Sequence, residues 1–273
     1  MTAVVVSPAV AVHRVIDGPP DAPALVLSNS LGSTLSVWDR QMAALIPHFR
    51  VIRYDLRGHG ASPVPPAPYE IADLGIDVLA LLDALGVDRA HVGGISIGGQ
   101  VGMWIAANAP ERVERLVLCC TSPRFEPPQA WAARAATVRA EGTAAIADTV
   151  VARWFTPAFA AECPSLVREM REMIANTPAE GYAACCGVVE RTDLRPSLTS
   201  IEAPTLVIAG SDDLAAPPEQ GELIAGAIPH ARIAVVERAA HLANVERSDD
   251  VNALILEHLL DAPTEHASTK EAP

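Results

Sequence analysis

Ser96 lies within residues 93–99, whose sequence GGISIGG contains the pattern Gly-x-Ser-x-Gly. A short apolar run, 90–92, precedes the pattern, and a helical pattern over 99–109 follows it. A chain that turns from a strand into a helix within two residues holds the central side chain in a sharp, exposed bend, and the flanking glycines remove Cβ atoms that would collide there. The pentapeptide alone also fits a glycine-rich turn with a surface serine. The strand before it and the helix after it favour a serine nucleophile.

A serine nucleophile needs a base that accepts its proton and a carboxylate that orients the base. Among the eight histidines, only His59 and His241 follow predicted strands. His59 stands in a glycine-flanked loop before the nucleophile, so we interpret it as a structural or pocket-wall residue and predict His241 as the base. Asp212 and Asp213 both follow the preceding strand; we favour Asp213 as the acid, with Asp212 as the alternative. The resulting order Ser, Asp, His is one of those found in serine hydrolases.

Backbone amides are expected to receive the negative charge that develops on the substrate oxygen. One is the amide of Ile97, directly after the serine. The other comes from the loop 29–32, where Leu31 is the better candidate. Leu31 could equally line the pocket, and the two roles are compatible.

Apolar runs that alternate with helical patterns predict an α/β fold with a mostly parallel central sheet flanked by helices. The predicted strands are 3–6, 10–15, 24–27, 49–54, 90–92, 113–119, 205–209 and 232–236, and the predicted helices are 38–45, 71–85, 99–109, 218–228 and 249–260. The first two strands would form an opening hairpin. Because the carboxyl ends of parallel strands share one edge of the sheet, the loops carrying the serine, the aspartate and the histidine are expected to meet there.

Regular alternation stops between residues 123 and 200. This segment is rich in alanine and arginine, has a helical pattern and is interrupted at Pro127-Pro128, Gly142, Pro157, Pro164, Pro178 and Gly181. We interpret 123–200 as a helical cap over a core formed by 1–122 and 201–261. Residues 262–273 are expected to be a disordered tail.

Composition narrows the class of protein. The 273 residues include 20 basic and 33 acidic side chains, and the net charge of −13 argues against nucleic-acid and anionic-membrane partners. A small-molecule enzyme or a protein-binding module remains. Lys270 is the single lysine, so cationic sites inside the fold must be made by arginine, whose planar guanidinium suits carboxylates.

The spacing of the five cysteines indicates neither a disulfide framework nor a zinc site. They are Cys119, Cys120, Cys163, Cys185 and Cys186. Buried free thiols are expected, and neither a metal nor a cofactor is predicted. The amino-terminal residues lack the features of a signal peptide, and no apolar run approaches the roughly 20 residues of a membrane helix. We therefore expect a cytoplasmic protein.

Four motifs together resemble the α/β-hydrolase superfamily over about residues 24–260. They are the sequence DLRGHG at 55–60, the Gly-x-Ser-x-Gly pattern, Gly210-x-x-Asp213 followed by Pro217, and His241. The resemblance implies an α/β-hydrolase fold with a helical cap and aligns the acid with Asp213. One departure is visible, since members of the superfamily often have His-Gly where this chain has Asn29-Ser30.

Further motifs are similar to 3-oxoadipate enol-lactonases. They are NSLG at 29–32 with Trp38, QAW at 129–131, RWFTP at 153–157, EGYAACC at 180–186 and DLR at 193–195. The resemblance implies hydrolysis of a five-membered enol-lactone with a free carboxylate, giving 3-oxoadipate, in the β-ketoadipate route of aromatic degradation. The implied substrate is a small anionic lactone.

Trp131 and Arg134 are three residues apart on a predicted helix and would share one face. An aromatic wall beside a guanidinium would suit the carboxylate of such a substrate and offset its repulsion by an acidic protein. Arg134, like Arg153, could instead be a solvated residue of the cap. Trp154 is a further candidate for substrate binding, although Trp154 and Tyr182 would more often belong to the core of the cap.

Other functions remain open at this point. The same three side chains would serve a general carboxylesterase or a cofactor-free peroxidase-like hydrolase, and a ligand-binding module could use the same scaffold without catalysis. Dehalogenase and epoxide hydrolase chemistry are disfavoured because a carboxylate nucleophile is expected where Ser96 stands. The sequence does not specify the oligomeric state.

Overall fold

A seven-stranded sheet forms the centre of the computed structural model, which describes residues 8–125 and 127–261. The strands are β1 (Arg14–Asp17), β2 (Ala24–Ser28), β3 (Arg50–Tyr54), β4 (Ala90–Ile95), β5 (Val113–Cys119), β6 (Thr205–Gly210) and β7 (Ala231–Val236). Their order is β1-β3-β2-β4-β5-β6-β7, with β1 antiparallel to β3 and every other pair parallel. The predicted mostly parallel sheet is confirmed.

Helices cover both faces of the sheet and also fill the long interval between β5 and β6. They are α1 (Asp39–Leu45), α2 (Ile71–Ala84), α3 (Ile97–Asn108), α4 (Pro128–Glu141), α5 (Ala144–Trp154), α6 (Pro157–Glu162), α7 (Pro164–Ala175), α8 (Ala179–Arg191), α9 (Pro218–Ala227), α10 (Ala243–Glu246) and α11 (Ser248–Leu260). Within the described ranges, none of these helices has the length and apolar character that crossing a membrane requires.

The continuous apolar runs arise because the central strands are buried on both faces. In β2, Val26 belongs to the hydrophobic cluster that includes residues of α2 and α3, whereas its neighbours Leu25 and Leu27 belong to the cluster on the opposite face, which includes residues of α1 and α11. This alternation follows from side chains pointing to opposite faces along a strand. Burial of every residue in β2 and β4 makes these two strands the rigid base of the loops that follow them.

The predicted opening hairpin is not what the described residues form. The first predicted strand, 3–6, lies outside them, and the predicted strand 10–15 is wrong in position, since β1 begins only at Arg14. The reason is that two upstream amides bond to side chains instead of a neighbouring strand: Val10 N donates to Asp77 Oδ1 at 2.8 Å and His13 N to Ser62 Oγ at 2.8 Å.

The helices α4 to α8 begin and end at the predicted proline and glycine positions, with one exception. Pro128, Pro157 and Pro164 are the first residues of their helices, a position where the missing N–H costs no hydrogen bond. The predicted break at Gly181 is wrong, because Gly181 lies inside α8. A glycine is needed there because a Cβ would stand 2.1 Å from the carbonyl oxygen of Gly58. The bounds 123–200 for a cap stay a prediction, and the predicted tail lies outside the described residues.

Arg57, from the DLRGHG motif, holds its loop to α2. Its Nε and Nη2 donate to Asp77 at 2.6 and 2.7 Å, and both side chains are almost fully buried. A bidentate pair of this kind is strongly directional, and removing either partner would leave a buried charge uncompensated. Arg57 therefore belongs to the framework that positions the loop 55–60.

Candidate active site

Ser96 occupies the turn between β4 and α3 with φ 58° and ψ −122°. A non-glycine residue with positive φ costs about 1–3 kcal/mol and persists only where the surroundings enforce it. The surroundings are close backbone contacts: a Cβ on Gly94 would stand 2.1 Å from Gly98 O, and one on Gly98 would stand 2.4 Å from Ser28 O. The helix begins directly at Ile97, two residues before the predicted start at 99. Glycine at these two positions is what allows the sharp turn.

The end of β5 fixes the backbone of this turn from the other side. Ser96 N donates to Cys119 O at 3.1 Å, and the hydroxyl of Thr121 donates to Ser96 O at 2.6 Å. Both polar backbone atoms of the serine are thus satisfied without its side chain. The hydroxyl of Ser96 remains available for chemistry.

His241 and Asp213 are joined by a hydrogen bond of 2.8 Å from Nδ1 of the imidazole to Oδ2 of the carboxylate. Both side chains are buried. The second carboxylate oxygen accepts from Ala215 N and Ala216 N at 2.8 and 3.0 Å, which fixes the plane of the carboxylate. With the proton held on Nδ1, Nε2 is the nitrogen that can accept a proton from a neighbouring hydroxyl.

Asp212 lies in a different environment from Asp213. Its side chain is exposed and accepts a hydrogen bond from the neighbouring Ser211 Oγ at 2.7 Å. Of the two adjacent carboxylates that the sequence offers, only Asp213 contacts His241 in this structure.

The loop after β2 is held by His59. Gly32 N donates to His59 Nε2 at 3.0 Å, and His59 Nδ1 bonds to Arg57 O at 3.3 Å. Burial lowers the pKa of His59 from 6.5 to about 4, so the ring is neutral near pH 7 and its Nε2 is an acceptor. His59 is therefore a structural residue that positions the loop containing Leu31.

Leu31 and the serine turn lie at the point where the strand order reverses. From β2 the chain passes outward to β3 and then returns to β4 on the other side of β2. Open parallel sheets bind their ligands at such a switch point, outside the carboxyl ends of the strands. Ile97 is the first residue of α3, where helical amides have no acceptor within the helix.

A cavity of about 190 Å³ opens at this edge of the sheet. Its floor comes from the core and consists of Ser30, Leu31, Ser96, Leu214, Ala215 and His241. The other walls come from the segment 125–182 and consist of Phe125, Pro127, Ala130, Trp131, Arg134, Val150, Arg153, Trp154 and Tyr182. Asp213 does not line the cavity but stands behind His241.

Arg134 stacks on Trp131, with its guanidinium carbon 4.5 Å from the ring centroid. A cation at this distance from an indole is attracted by the negative face of the ring. Arg153 lies on another wall of the same cavity. Within residues 8–125 and 127–261, neither arginine forms an ion pair with a carboxylate. Two guanidinium groups that have no carboxylate partner among the described residues thus border the cavity.

Tyr182 is the main cavity residue that sequence reasoning placed elsewhere, in the core of the cap. It is fully buried and lines the cavity, and its ring packs against Gly32, where a Cβ would stand 2.9 Å from the ring. Phe125 was also missed; it meets Trp131 edge-on at 5.9 Å. The sequence signal for Tyr182 is the preceding Gly181, because a glycine inside a helical pattern indicates that another backbone approaches the helix closely at that point.

All five cysteines are free thiols, and four of them are buried. Within the described ranges, no three histidine, cysteine or acidic side chains are grouped so that they could hold a metal ion.

Comparison with known proteins matches residues 23–248 to the family model of the alpha/beta hydrolase fold. The chain is 43% identical over 243 residues to 3-oxoadipate enol-lactonase 2 of Acinetobacter baylyi, covering 89% of this chain and 91% of that protein. The structure is similar to the enol-lactonase of Burkholderia xenovorans, with a TM-score of 0.91, 44% identity and coverage of 93% and 99%. It is also similar to a thermophilic esterase of Thermogutta terrifontis, with a TM-score of 0.86, 32% identity and coverage of 91% and 93%.

The buried histidines predict a loss of stability in acid. Burial lowers the pKa values of His59, His91 and His258 from 6.5 to about 4. Between these values the unfolded chain binds more protons than the folded one, so the free energy of unfolding should fall as the pH falls from 6.5 to 4. Replacing His59 by glutamine removes one of the three groups and should make this fall less steep. Denaturant titrations at several pH values measure the free energy of unfolding of wild type and variant. If this free energy depended on pH equally in both proteins, the buried, neutral state of His59 would be contradicted.

Proposed function

The chain belongs to the α/β-hydrolase fold family, and from this premise we propose that it hydrolyses 3-oxoadipate enol-lactone to 3-oxoadipate. One observation carries the proposal: a single cavity is lined by Ser96, by His241 and by two arginines, Arg134 and Arg153, that have no carboxylate partner among the described residues. The first two side chains suit acyl transfer, and the arginines suit an anionic substrate. The name of the Acinetobacter relative, 3-oxoadipate enol-lactonase, supports the same substrate, and the name of the Burkholderia enol-lactonase supports the same class of substrate.

The first step of the proposed reaction is attack of Ser96 Oγ on the lactone carbonyl carbon. His241 Nε2 takes the hydroxyl proton, and Asp213 stabilises the imidazolium through Nδ1. The carbonyl π electrons move to oxygen, and the amides of Leu31 and Ile97 would donate hydrogen bonds to that oxyanion. The strained backbone at Ser96 supports this role because it holds the nucleophile in place before the substrate arrives.

Collapse of the tetrahedral intermediate breaks the bond between the carbonyl carbon and the ring oxygen. The leaving oxygen takes the proton from His241 and becomes an enol, which tautomerises to the ketone. Because the substrate is a ring, the ketone stays attached to the acyl group on Ser96. A water molecule then gives its proton to His241 and attacks the ester carbon, and the serine oxygen leaves with that proton.

Arg134 and Trp131 are proposed to bind the free carboxylate of the lactone. The guanidinium is already oriented by its stacking on the indole, so less side-chain freedom is lost on binding. Trp154, which is also buried at the cavity wall, is proposed to pack against the lactone ring. An arginine is well placed to counter the long-range repulsion of an anion by a protein with a net charge of −13.

A general carboxylesterase is the second candidate, favoured by the similarity to the thermophilic esterase. The same serine, histidine and aspartate would serve both functions, so only the substrate distinguishes them. Faster hydrolysis of neutral p-nitrophenyl esters than of the enol-lactone would favour the esterase. We further propose a cytoplasmic location, which the buried free thiols support.

Replacement of Ser96 by alanine tests the proposed nucleophile. We expect kcat for enol-lactone hydrolysis to fall by about 10³- to 10⁶-fold, because loss of a serine nucleophile removes the covalent route. Lactone hydrolysis by purified wild type and variant, followed by ultraviolet absorbance, measures the effect, and circular dichroism checks that the fold is retained. Substantial remaining turnover, or failure of a serine-directed phosphonate to label wild-type Ser96, would refute this role.

The adjacent carboxylates provide a matched pair of variants. Asp213→Asn should lower kcat by about 10⁴-fold, because an amide no longer holds His241 in the required tautomer. Asp212→Asn changes the same chemical group one residue away, on an exposed side chain, and should leave kcat within about twofold. Steady-state kinetics at one pH compares them. Equal losses in both variants would contradict the assignment of Asp213.

Arg134→Met tests recognition of the carboxylate. Loss of a charge-assisted hydrogen bond of about 1.5–3 kcal/mol should raise KM for the anionic lactone by about 10- to 100-fold, with little effect on p-nitrophenyl acetate. Arg139→Met is the control, since Arg139 lies on the same helix but pairs with Glu180 at 3.0 Å. Equal effects on the anionic and the neutral substrate would show that Arg134 does not bind a carboxylate.

A further inference from the structure

Glu246, on α10, is a buried carboxylate to which the proposed reaction gives no part. Within the described residues it forms no ion pair, and its charge is stabilised by hydrogen bonds alone. Ala240 N donates to Oε2 at 2.9 Å, and Thr156 N lies 3.2 and 3.3 Å from the two carboxylate oxygens. The hydroxyl of Thr156 bonds to Oε1. A buried carboxylate is costly unless such donors surround it, so its presence here requires an explanation.

The donors belong to two segments that meet at His241. Ala240 directly precedes His241, and Thr156 lies just after α5. On the other side of the histidine, Leu242 N donates to Trp154 O at 2.9 Å. Both chain neighbours of His241 are therefore bonded to residues 154–156, one of them directly and the other through Glu246.

The segment 153–156 has open space on two sides. Arg153 and Trp154 line the candidate active-site cavity, whereas Phe155 and Thr156 line a second cleft of about 490 Å³. Ala240 and Asp213 line that second cleft as well. Trp154 and Phe155 are nevertheless buried in the hydrophobic cluster that contains Leu242, and the hydrogen bonds to Glu246 and Leu242 add a directional connection between this segment and the histidine loop.

The contact depends on the carboxylate oxygens of Glu246. The two oxygens of Glu246 face N–H donors from both segments. Oε2 accepts from the amides of both Ala240 and Thr156, so glutamine with its carbonyl oxygen in that position keeps both bonds. Leucine is close to glutamate in size and has no acceptor, so it leaves both buried amides without this partner and removes the connection between the two segments.

We propose that Glu246 is a positioning residue for His241, which connects the histidine loop to the segment that carries Trp154. The connection keeps the imidazole at the geometry that proton transfer requires and makes this geometry depend on the position of a cavity wall. The proposal rests on the proposed function, because it takes His241 as the base.

The test uses Glu246→Leu, with Glu257→Leu as the control. Glu257 is a carboxylate on α11 that pairs with Arg232 at the surface, 3.2 Å away. Because a displacement of about 1 Å can cost about 100-fold, Glu246→Leu should lower kcat by about 10- to 100-fold and leave KM within about twofold. The loss should be the same for the enol-lactone and for p-nitrophenyl acetate, and labelling by a serine-directed phosphonate should slow equally. The control should keep all three rates.

Hydrogen exchange distinguishes positioning from a general loss of stability. The peptide containing 238–242 should exchange faster in Glu246→Leu, while β4 and β5 keep their wild-type protection. Thr156→Val, which removes one donor and leaves the bond from Ala240 intact, should lower kcat by a smaller factor. If Glu246→Leu does not fold, Thr156→Val tests the proposal.

Two results would overturn the proposal: wild-type kcat in a folded Glu246→Leu or Thr156→Val, or a kcat loss with uniformly faster exchange across the sheet. Failure of the proposed function is a separate outcome. It would appear as unchanged lactone turnover in Ser96→Ala, or as wild-type hydrolysis of p-nitrophenyl acetate without hydrolysis of the lactone.

Discussion

The turn from β4 into α3 is the constraint on which the rest of the site depends. Two glycines, Gly94 and Gly98, let the backbone of this turn pass within contact distance of itself and of Ser28 at the end of β2. The same contact brings the serine beside the loop that contains Leu31. Because the neighbouring strands are parallel and buried, the positions of both loops are set by the sheet, and the side chain of Ser96 needs no hydrogen bond of its own to stay in place.

The arginines of the framework and those of the cavity differ in whether they pair with a carboxylate. In the framework, Arg57 pairs bidentately with Asp77 and ties the loop 55–60 to α2. At the cavity, Arg134 is oriented by an aromatic ring and Arg153 lies on another wall, neither with a carboxylate partner in the described part of the chain. A cation that is oriented but not neutralised attracts an anion, and this is the basis on which we propose a carboxylate-bearing substrate.

The helices between β5 and β6 contact the core at the places where the proposed chemistry occurs. Gly181 packs on the backbone of Gly58, the ring of Tyr182 lies on Gly32, and the carboxylate of Glu246 joins Thr156 to the histidine loop. These contacts connect one surface of the cavity with both loops that flank the serine. Residues at the cavity wall and next to it therefore contact both the loop 29–32 and the loop that contains His241.

Local patterns in the sequence determined the parallel sheet and the serine turn, because strands buried on two faces and a turn between glycines are both visible in neighbouring residues. The order of the serine, aspartate and histidine is read directly from the chain. The family motifs also indicated the enol-lactonase relatives. Tertiary structure decided which of Asp212 and Asp213 contacts His241, because adjacent residues have the same local pattern but different environments. It also decided that Gly181 continues a helix and that Tyr182 lines the cavity. Those outcomes depend on contacts between segments far apart in the chain, which periodicity does not record.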